Sequence, residues 1–225
     1  MTKHFYKLAI TFILLLQSSG FPQFWEYQVS GTTQHLNGVH MLDTQIGWIC
    51  GDAGTLLKTS NSGQNWTQVN ATVNDLNSIL FKDASLGVAV GDDGTIIRTT
   101  NGGTNWFVVA SGTTEQFRKV SSGSGNTFFA AGDNGLISVS TDNGATWNLK
   151  NAGTNIRFRG TAATASNKVW IVGENGVIKY STDGGNNWSA ITYNENIYLT
   201  AIKSIHNNVY VVGNFGLILI STDGG

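Results

Sequence analysis

Residues 91–106 read GDDGTIIRTTNGGTNW, and this stretch recurs along the chain with small changes. Its opening turn motif, Gly-Asp-x-Gly with Glu or Asn replacing Asp in the last two copies, begins at Gly51, Gly91, Gly132, Gly173 and Gly213. These starts are 40 or 41 residues apart. A period of 40 to 45 residues with four short strands per unit is typical of a β-propeller blade, which needs neighbours to bury both faces.

Two further markers keep the same period. An apolar residue opens a predicted inner strand in each unit: Leu36, Leu76, Phe117, Phe158 and Leu199. A second turn, Thr/Ser-x-Asp/Asn-x-Gly-x-x-Trp, follows the first. Its members are Asn61, Gly63 and Trp66; Asn101, Gly103 and Trp106; Asp142, Gly144 and Trp147; Asp183, Gly185 and Trp188; and Asp223 and Gly225 in a shortened last copy. Because Asp and Asn interchange here, we interpret these residues as structural, with tryptophans packed between blades.

We therefore predict an all-β chain whose domain, residues 21–225, is a propeller of four-stranded antiparallel blades. The predicted blades are residues 36–75, 76–116, 117–157 and 158–198, with a partial blade at 199–225. Residues 24–30 resemble an outer strand, because Trp25 precedes Leu36 by 11 residues, as Trp106 precedes Phe117. Two alternatives remain: a five-bladed ring closed by that strand, or part of a larger ring, which we favour because the last copy stops inside its turn.

Residues 1–20 match a signal peptide. Lys3 and Lys7 precede the apolar run Leu8 to Leu16, and Ser18-Ser19-Gly20 provides small residues for cleavage before Phe21. We expect a secreted or periplasmic protein with no membrane span after cleavage, since nine apolar residues are too few to cross a bilayer. The single cysteine, Cys50, lies in an apolar run and is predicted to be buried and inert.

Composition excludes several functional classes. The chain has 13 basic and 14 acidic residues, is 40% hydrophobic and contains 28 glycines, so it is neither disordered nor a polyelectrolyte. Only four arginines occur and no basic cluster is present, so nucleic acid is not an expected partner. The histidines have no zinc-ligand spacing and no calcium loop is present, so we expect no metal and no cofactor.

The repeat resembles the Asp-box, or bacterial neuraminidase repeat. The stretch 91–106, preceded by the strand pattern L-x-x-I-x-F at 76–81, is most similar to the photosystem II assembly and stability factor family, over residues 24–225. The resemblance implies a propeller, seven-bladed in that family, in which an arginine-rich patch holds a protein subunit.

Three arginines form the candidate ligand site. Arg118 and Arg159 each follow the aromatic residue that opens an inner strand, and Arg157 lies in the adjoining loop. The equivalent positions in the first two blades are Asn37 and Asn77. We expect the arginines to meet near the channel mouth as the strongest positive patch, suited to an anion or a peptide carboxylate. The alternative is that they are ordinary solvated surface residues.

Two functions follow. The favoured one is a monomeric, non-enzymatic scaffold that binds a protein or peptide. The alternative is a glycan-binding or glycan-hydrolysing propeller, sialidase-like or xyloglucanase-like. A xyloglucanase needs two facing carboxylates, and the candidates outside the turns are Glu26, Asp43, Asp75, Asp83, Glu115 and Glu195. Stacking faces for a sugar would come from Trp48, Trp170, Tyr193 and Tyr198.

Overall fold

A computed structural model of the protein describes residues 26–224. The nineteen strands of this part of the chain form five separate antiparallel sheets, one for each copy of the repeat. The predicted β-propeller is therefore confirmed, with a partial ring. The predicted signal peptide at 1–20, the tryptophan at 25 and Gly225 lie outside the described residues.

The strands follow the repeat. Blade 1 contains β1 (Leu36–Met41), β2 (Gly47–Gly51), β3 (Thr55–Thr59) and β4 (Thr67–Asn70). Blade 2 contains β5 (Leu76–Phe81), β6 (Gly87–Gly91), β7 (Ile96–Thr99) and β8 (Phe107–Val108). Blade 3 contains β9 (Phe117–Ser122), β10 (Phe128–Gly132), β11 (Leu136–Ser140) and β12 (Asn148–Asn151). Blade 4 contains β13 (Phe158–Ala163), β14 (Val169–Gly173), β15 (Val177–Ser181) and β16 (Ser189–Thr192). Blade 5 contains β17 (Leu199–Ile205), β18 (Asn208–Gly213) and β19 (Ile218–Ser221).

Each blade is a simple meander in which sequential strands pair. The innermost strand of every blade has a register shift directly after its first residue. In blade 2, for example, Leu76 pairs with Gly91 and Ser78 with Val90, so Asn77 is the extra residue of a β-bulge. A bulge redirects the side chain of its extra residue. The repeat therefore presents one redirected side chain per blade at the start of each inner strand.

The core lies between the blades. Trp48, Cys50 and Leu56 of blade 1 are buried and cluster with Ile79 and Phe81 of blade 2. Aromatic rings fill the same interface, where Phe81 stacks on Trp48 with a 5.1 Å centroid separation. Burial raises the pKa of the Cys50 thiol to about 12, which keeps it neutral and unreactive at physiological pH.

The first and last described segments of the chain depart from the four-strand pattern of the other blades. Blade 5 has three strands in the described residues, whereas blades 1 to 4 have four. Residues 26–30, most of the predicted N-terminal strand, form no β-ladder. They pair with no neighbouring strand, although Trp66 Nε1 donates a hydrogen bond to Gln28 Oε1 at 3.1 Å.

Within residues 26–224, no helix has both the length and the apolar character that a membrane crossing requires.

Candidate ligand-binding site at the channel mouth

Antiparallel connectivity sorts the loops onto two ends of the ring. The turns between the second and third strands lie beside the loops that enter each blade, as the hydrogen bonds from Asp92 N to Asp75 O and from Asp133 N to Gln116 O show. The Asp-box turns lie at the other end, beside the connections between the first and second strands. There Gly102 N donates to Ser85 O at 2.9 Å. The turns between the second and third strands and the Asp-box turns therefore lie on opposite faces of the ring.

The bulged position of each inner strand is paired with the acidic residue of the turn in its own blade. The bulged residues are Asn37, Asn77, Arg118, Arg159 and Thr200. In the first four blades this side chain donates to an acid 15 residues downstream. The pairs are Asn37 with Asp52, Asn77 with Asp92, Arg118 with Asp133, and Arg159 with Glu174.

The residue just before an inner strand reaches back to the preceding blade. Gln116 Nε2 donates to Asp92 Oδ2 at 2.8 Å, and Arg157 Nε lies 2.9 Å from Asp133 Oδ1. Arg157 Nη1 also lies 3.8 Å from Glu174 Oε1. Arg157 therefore bridges blades 3 and 4, and Asp133 receives two guanidinium groups.

The paired groups shift each other's pKa values. Partial burial alone would raise the pKa of Asp133, but Arg118 and Arg157 hold that pKa below its usual range. The hydrogen bond to Asp133 in turn raises the pKa of Arg118, against the opposing effect of burial. Both partners are therefore charged at all physiological pH values.

The structure brings the three predicted arginines together. Arg118, Arg157 and Arg159 line one cleft of about 260 Å³ with Lys119 and the amides of Asn37 and Asn77. A larger polar cleft of about 580 Å³ lies next to it and contains the acidic partners Asp133 and Glu174, together with Glu115. The first cleft is thus lined by cationic and amide groups without a carboxylate, whereas the carboxylates line the second cleft, which Arg157 also reaches.

The predicted positive patch contains acidic partners that the sequence analysis did not name. Two carboxylates partly neutralise the three arginines, leaving one positive charge among the five side chains. Sequence reasoning missed these acids because it assigned Asp133 and Glu174 only to the turn. Their constant spacing of 15 residues from the arginines was the available signal.

Arg159 retains an unused donor. Its Nη2 donates to Glu174 Oε1 at 2.6 Å, but its Nε is buried without a hydrogen-bond partner. The guanidinium also lies over the ring of Tyr198, 5.5 Å from its centroid, which fixes its plane.

The Asp-box residues hold their own turn. Asp142 Oδ1 accepts hydrogen bonds from Ser140 Oγ and from Thr146 N, at 2.8 and 2.9 Å. Asn101 Oδ1 makes the equivalent contacts with Thr99 Oγ1 and Asn105 N. Hydrogen bonds from Asn187 lower the pKa of Asp183 to about 2. An acid held ionised in this way is unsuited to donating a proton near neutral pH.

Two of the other acid candidates also cap turns. Asp43 accepts from the backbone amides of Ile46 and Gln45, and Asp83 from Ser85 and Leu86. These hydrogen bonds lower the pKa of both carboxyl groups. A glycosidase acid needs the opposite shift. Among residues 26–224, no group of three or more potential ligands is arranged to hold a metal ion.

Two of the predicted stacking residues are unavailable. Trp48 and Trp170 are buried between blades, so the expectation that they present faces to a sugar was wrong. Strand position explains this, because the second residue of the second strand points into the interblade core. Tyr193 and Tyr198 are exposed, but Arg159 already packs against Tyr198.

The fold and its repeat define an Asp-box β-propeller. A model of the family described as photosynthesis system II assembly factor YCF48 matches residues 18–114. The chain is thus a propeller that resembles this family, as its sequence motifs predict. No match was found among curated proteins.

Three solved structures share the fold. "YCF48 bound to D1 peptide" is 19% identical, with 86% of this chain and 79% of that one covered, and a TM-score of 0.52. The GH74 enzyme of Niastella koreensis is 16% identical, with a TM-score of 0.64; 83% of this chain but only 36% of the enzyme is covered. The WD40 propeller domain of Doa1 is 16% identical, covers 89% and 70%, and has a TM-score of 0.72. At these identities the similarity concerns the fold alone.

Proposed function

We propose that this protein is an exported, non-enzymatic scaffold that binds a protein or peptide at the channel-mouth cleft. The observation that carries the proposal is the cleft lined by Arg118, Arg157 and Arg159. Ion pairs with Asp133 and Glu174, which line the neighbouring cleft, orient these guanidinium groups. Oriented guanidinium groups suit a carboxylate, because two parallel N–H groups match its two oxygens.

The arrangement supports selectivity for a small anionic group. Lys119 also lines the cleft, so two net positive charges remain after pairing with Asp133 and Glu174, which favours a ligand with one or two carboxylates over a polyanion. The Arg159 side chain is 34% exposed, so its guanidinium remains accessible to a ligand. The peptide-bound YCF48 structure, a member of the family that this chain resembles, supports a peptide as the ligand.

The test measures, by isothermal titration calorimetry, binding of an N-acetylated decapeptide of neutral residues whose only charge is its free C-terminal carboxylate. The variant is Arg118→Asn with Arg159→Asn, since Asn already occupies this position in blades 1 and 2. Charge reversal would place like charges beside Asp133 and Glu174, and would destabilise the fold as well. We expect at least about a tenfold weaker affinity, the usual effect of losing a charge-assisted hydrogen bond.

Arg98→Gln is the matched control, because Arg98 bonds Asn143 O on the opposite end of the ring. It should leave peptide affinity unchanged. No binding by the unaltered protein, or equal losses in both variants, would reject the peptide-binding proposal. Turnover of sialoside or glucan substrates by the purified protein would favour the glycan alternative instead.

The proposal that the protein is exported depends on its N-terminal sequence. The charged, apolar and small-residue regions of residues 1–20 favour removal before Phe21. The intact mass of material recovered from the periplasm or medium should correspond to a chain that starts at or near Phe21. Recovery of that material with Met1 still attached would count against cleavage.

A further inference from the structure

One lysine at the channel mouth is not part of the repeat. Lys119 directly follows the bulged residue Arg118 on the inner strand of blade 3. The other blades have a small residue at this repeat position: Gly38, Ser78, Gly160 and Ala201. The blade fold therefore does not require a long, charged side chain here.

The ammonium group of Lys119 has no ionic partner. Within residues 26–224, Lys119 forms neither an ion pair nor a side-chain hydrogen bond. The three cleft arginines, by contrast, are each paired with Asp133 or Glu174. The charge of Lys119 is therefore the positive charge at this cleft that no described carboxylate neutralises directly.

The side chain of Lys119 extends into the channel mouth. It lines the cleft of about 260 Å³ together with the arginines and with Asn37 and Asn77 of blades 1 and 2. Burial raises the pKa of Cys50, on blade 1, and the charge of Lys119, on blade 3, acts against that shift. The ammonium group is thus within electrostatic range of blade 1, across the cleft from its own blade.

The other acids at the channel mouth are bound by amides. Asp52 accepts a hydrogen bond from Asn37 Nδ2 at 2.8 Å, and Asp92 accepts one from Asn77 Nδ2 at 2.7 Å. Neither carboxylate lines the cleft. A ligand in the cleft therefore meets the ammonium group without a competing carboxylate among the lining residues.

Arginine and lysine bind carboxylates in different ways. A planar guanidinium matches the two oxygens of one carboxylate, whereas an ammonium is a point charge on a flexible stem with three donors. A cleft that contains both kinds of cation suits a ligand with two carboxylates. Its volume lies below the ~300 Å³ at which pockets begin to hold drug-sized ligands, so it suits the last residue of a chain better than a continuing chain.

We propose that Lys119 selects peptides that end in glutamate or aspartate. The arginines bind the terminal carboxylate, and Lys119 binds the side-chain carboxylate of the same residue. This selection builds on the proposed peptide-binding function and adds the identity of the ligand's last residue. Both carboxylates belong to one residue, so both enter one cleft without a second segment of the peptide.

Two N-acetylated decapeptides test the selection by isothermal titration calorimetry. They share nine neutral residues and a free C-terminal carboxylate, and they end in Glu or in Gln. The unaltered protein should bind the Glu peptide at least about tenfold more tightly, the usual effect of a hydrogen bond between charged groups.

Lys119→Met removes the charge and keeps the length of the apolar stem. This variant should bind the two peptides with affinities within about twofold of each other, because the preference depends on the contact with the second carboxylate. A merely structural effect of the substitution would weaken both peptides equally and leave the preference unchanged.

Lys150→Met is the matched control, because Lys150 donates to Asn186 in an Asp-box turn on the opposite face of the ring. It should keep the full preference for the Glu peptide. An amidated decapeptide ending in Glu-Glu carries two carboxylates without a free C-terminus. It should bind more weakly than the Glu peptide, since two side chains lose more rotamer freedom than one.

Equal affinities of the unaltered protein for the Glu and Gln peptides would overturn the selection by Lys119 and leave the proposed peptide binding intact. An unchanged preference in Lys119→Met would do the same. Binding of the amidated Glu-Glu peptide as tight as that of the Glu peptide would overturn the assignment to the end of the chain. Absence of binding by any of the peptides would reject the proposed function together with the selection.

Discussion

Arg118 and Asp133 form a bidentate ion pair between a bulged strand and the turn that ends the next strand of the same blade. Nε and Nη2 of Arg118 lie 2.9 and 2.7 Å from the two carboxylate oxygens of Asp133. The same spacing of 15 residues joins Asn37 to Asp52 in blade 1, where a neutral amide replaces the guanidinium. The arginine-lined cleft is thus built on a charged version of a contact that the repeat already uses to hold its turn.

Replacing Asp133 with Asn should lower the free energy of unfolding by about 1 to 2 kcal/mol, between the values for exposed and buried ion pairs. Asp133 is 14% exposed and serves both Arg118 and Arg157. Urea denaturation at pH 7 measures the loss. Asp52→Asn, whose partner is an amide, should cost less. Equal losses would show that the arginines add nothing to the turn contact.

The pH dependence of the same variant has a defined sign. The pKa of Asp133 is lowered from its ordinary value of 3.8, so its stabilising effect is present above that value and is lost as the pH falls through the lowered pKa. The stability difference between the unaltered protein and Asp133→Asn should therefore be constant from pH 5 to 7 and shrink below about pH 4. Urea midpoints across this range test it. A difference that grows on acidification would contradict the assigned shift.

Trp147→Ala should cost about 3 to 5 kcal/mol, as large aromatic truncations in cores do. Trp147 is 8% exposed and packs near Phe128 in the cluster between blades 2 and 3. Trp66→Ala is the matched control, because Trp66 has the same repeat position but is only partly buried, so its loss should cost clearly less. Denaturant unfolding compares the two variants. A larger loss for Trp66 would contradict this difference in burial.

Asp142→Asn should be tolerated, whereas Asp142→Ala should destabilise by about 1 kcal/mol, the usual value of a lost hydrogen bond. The amide oxygen of Asn101 already makes the same turn contacts. Alanine leaves Ser140 Oγ and Thr146 N without their acceptor. Thermal unfolding of the two variants provides the comparison. Equal destabilisation by Asn and Ala would indicate that Asp142 needs its charge.

Gly103→Ala should be among the most damaging single-methyl changes. A Cβ at this position would lie 2.1 Å from the Trp48 ring, and the residue has a φ of +77°. We expect a loss of more than about 3 kcal/mol, since overpacking adds to backbone strain. Gly153→Ala shares a positive φ but meets no atom within 4 Å, so it isolates the strain at about 1 kcal/mol. Similar losses for both would argue against the close approach to Trp48.

The sequence predicted the architecture because several independent sequence markers repeat together. Turn glycines, opening apolar residues and tryptophans keep one period, and each marker has a local physical reason. It also placed the three arginines at one end, since antiparallel strands alternate direction. It did not predict the partners of Arg118, because the bulge that redirects this side chain depends on pairing between two strands.

By itself, the sequence determined the number of copies, the blade order and the face on which each turn lies. These follow from periodic local patterns that need no knowledge of distant contacts. Only the tertiary structure decided how Asp133 neutralises Arg118 and Arg157, and why Trp48 is closed to ligands. These properties arise where separate blades meet, so they depend on the distances and orientations that packing sets.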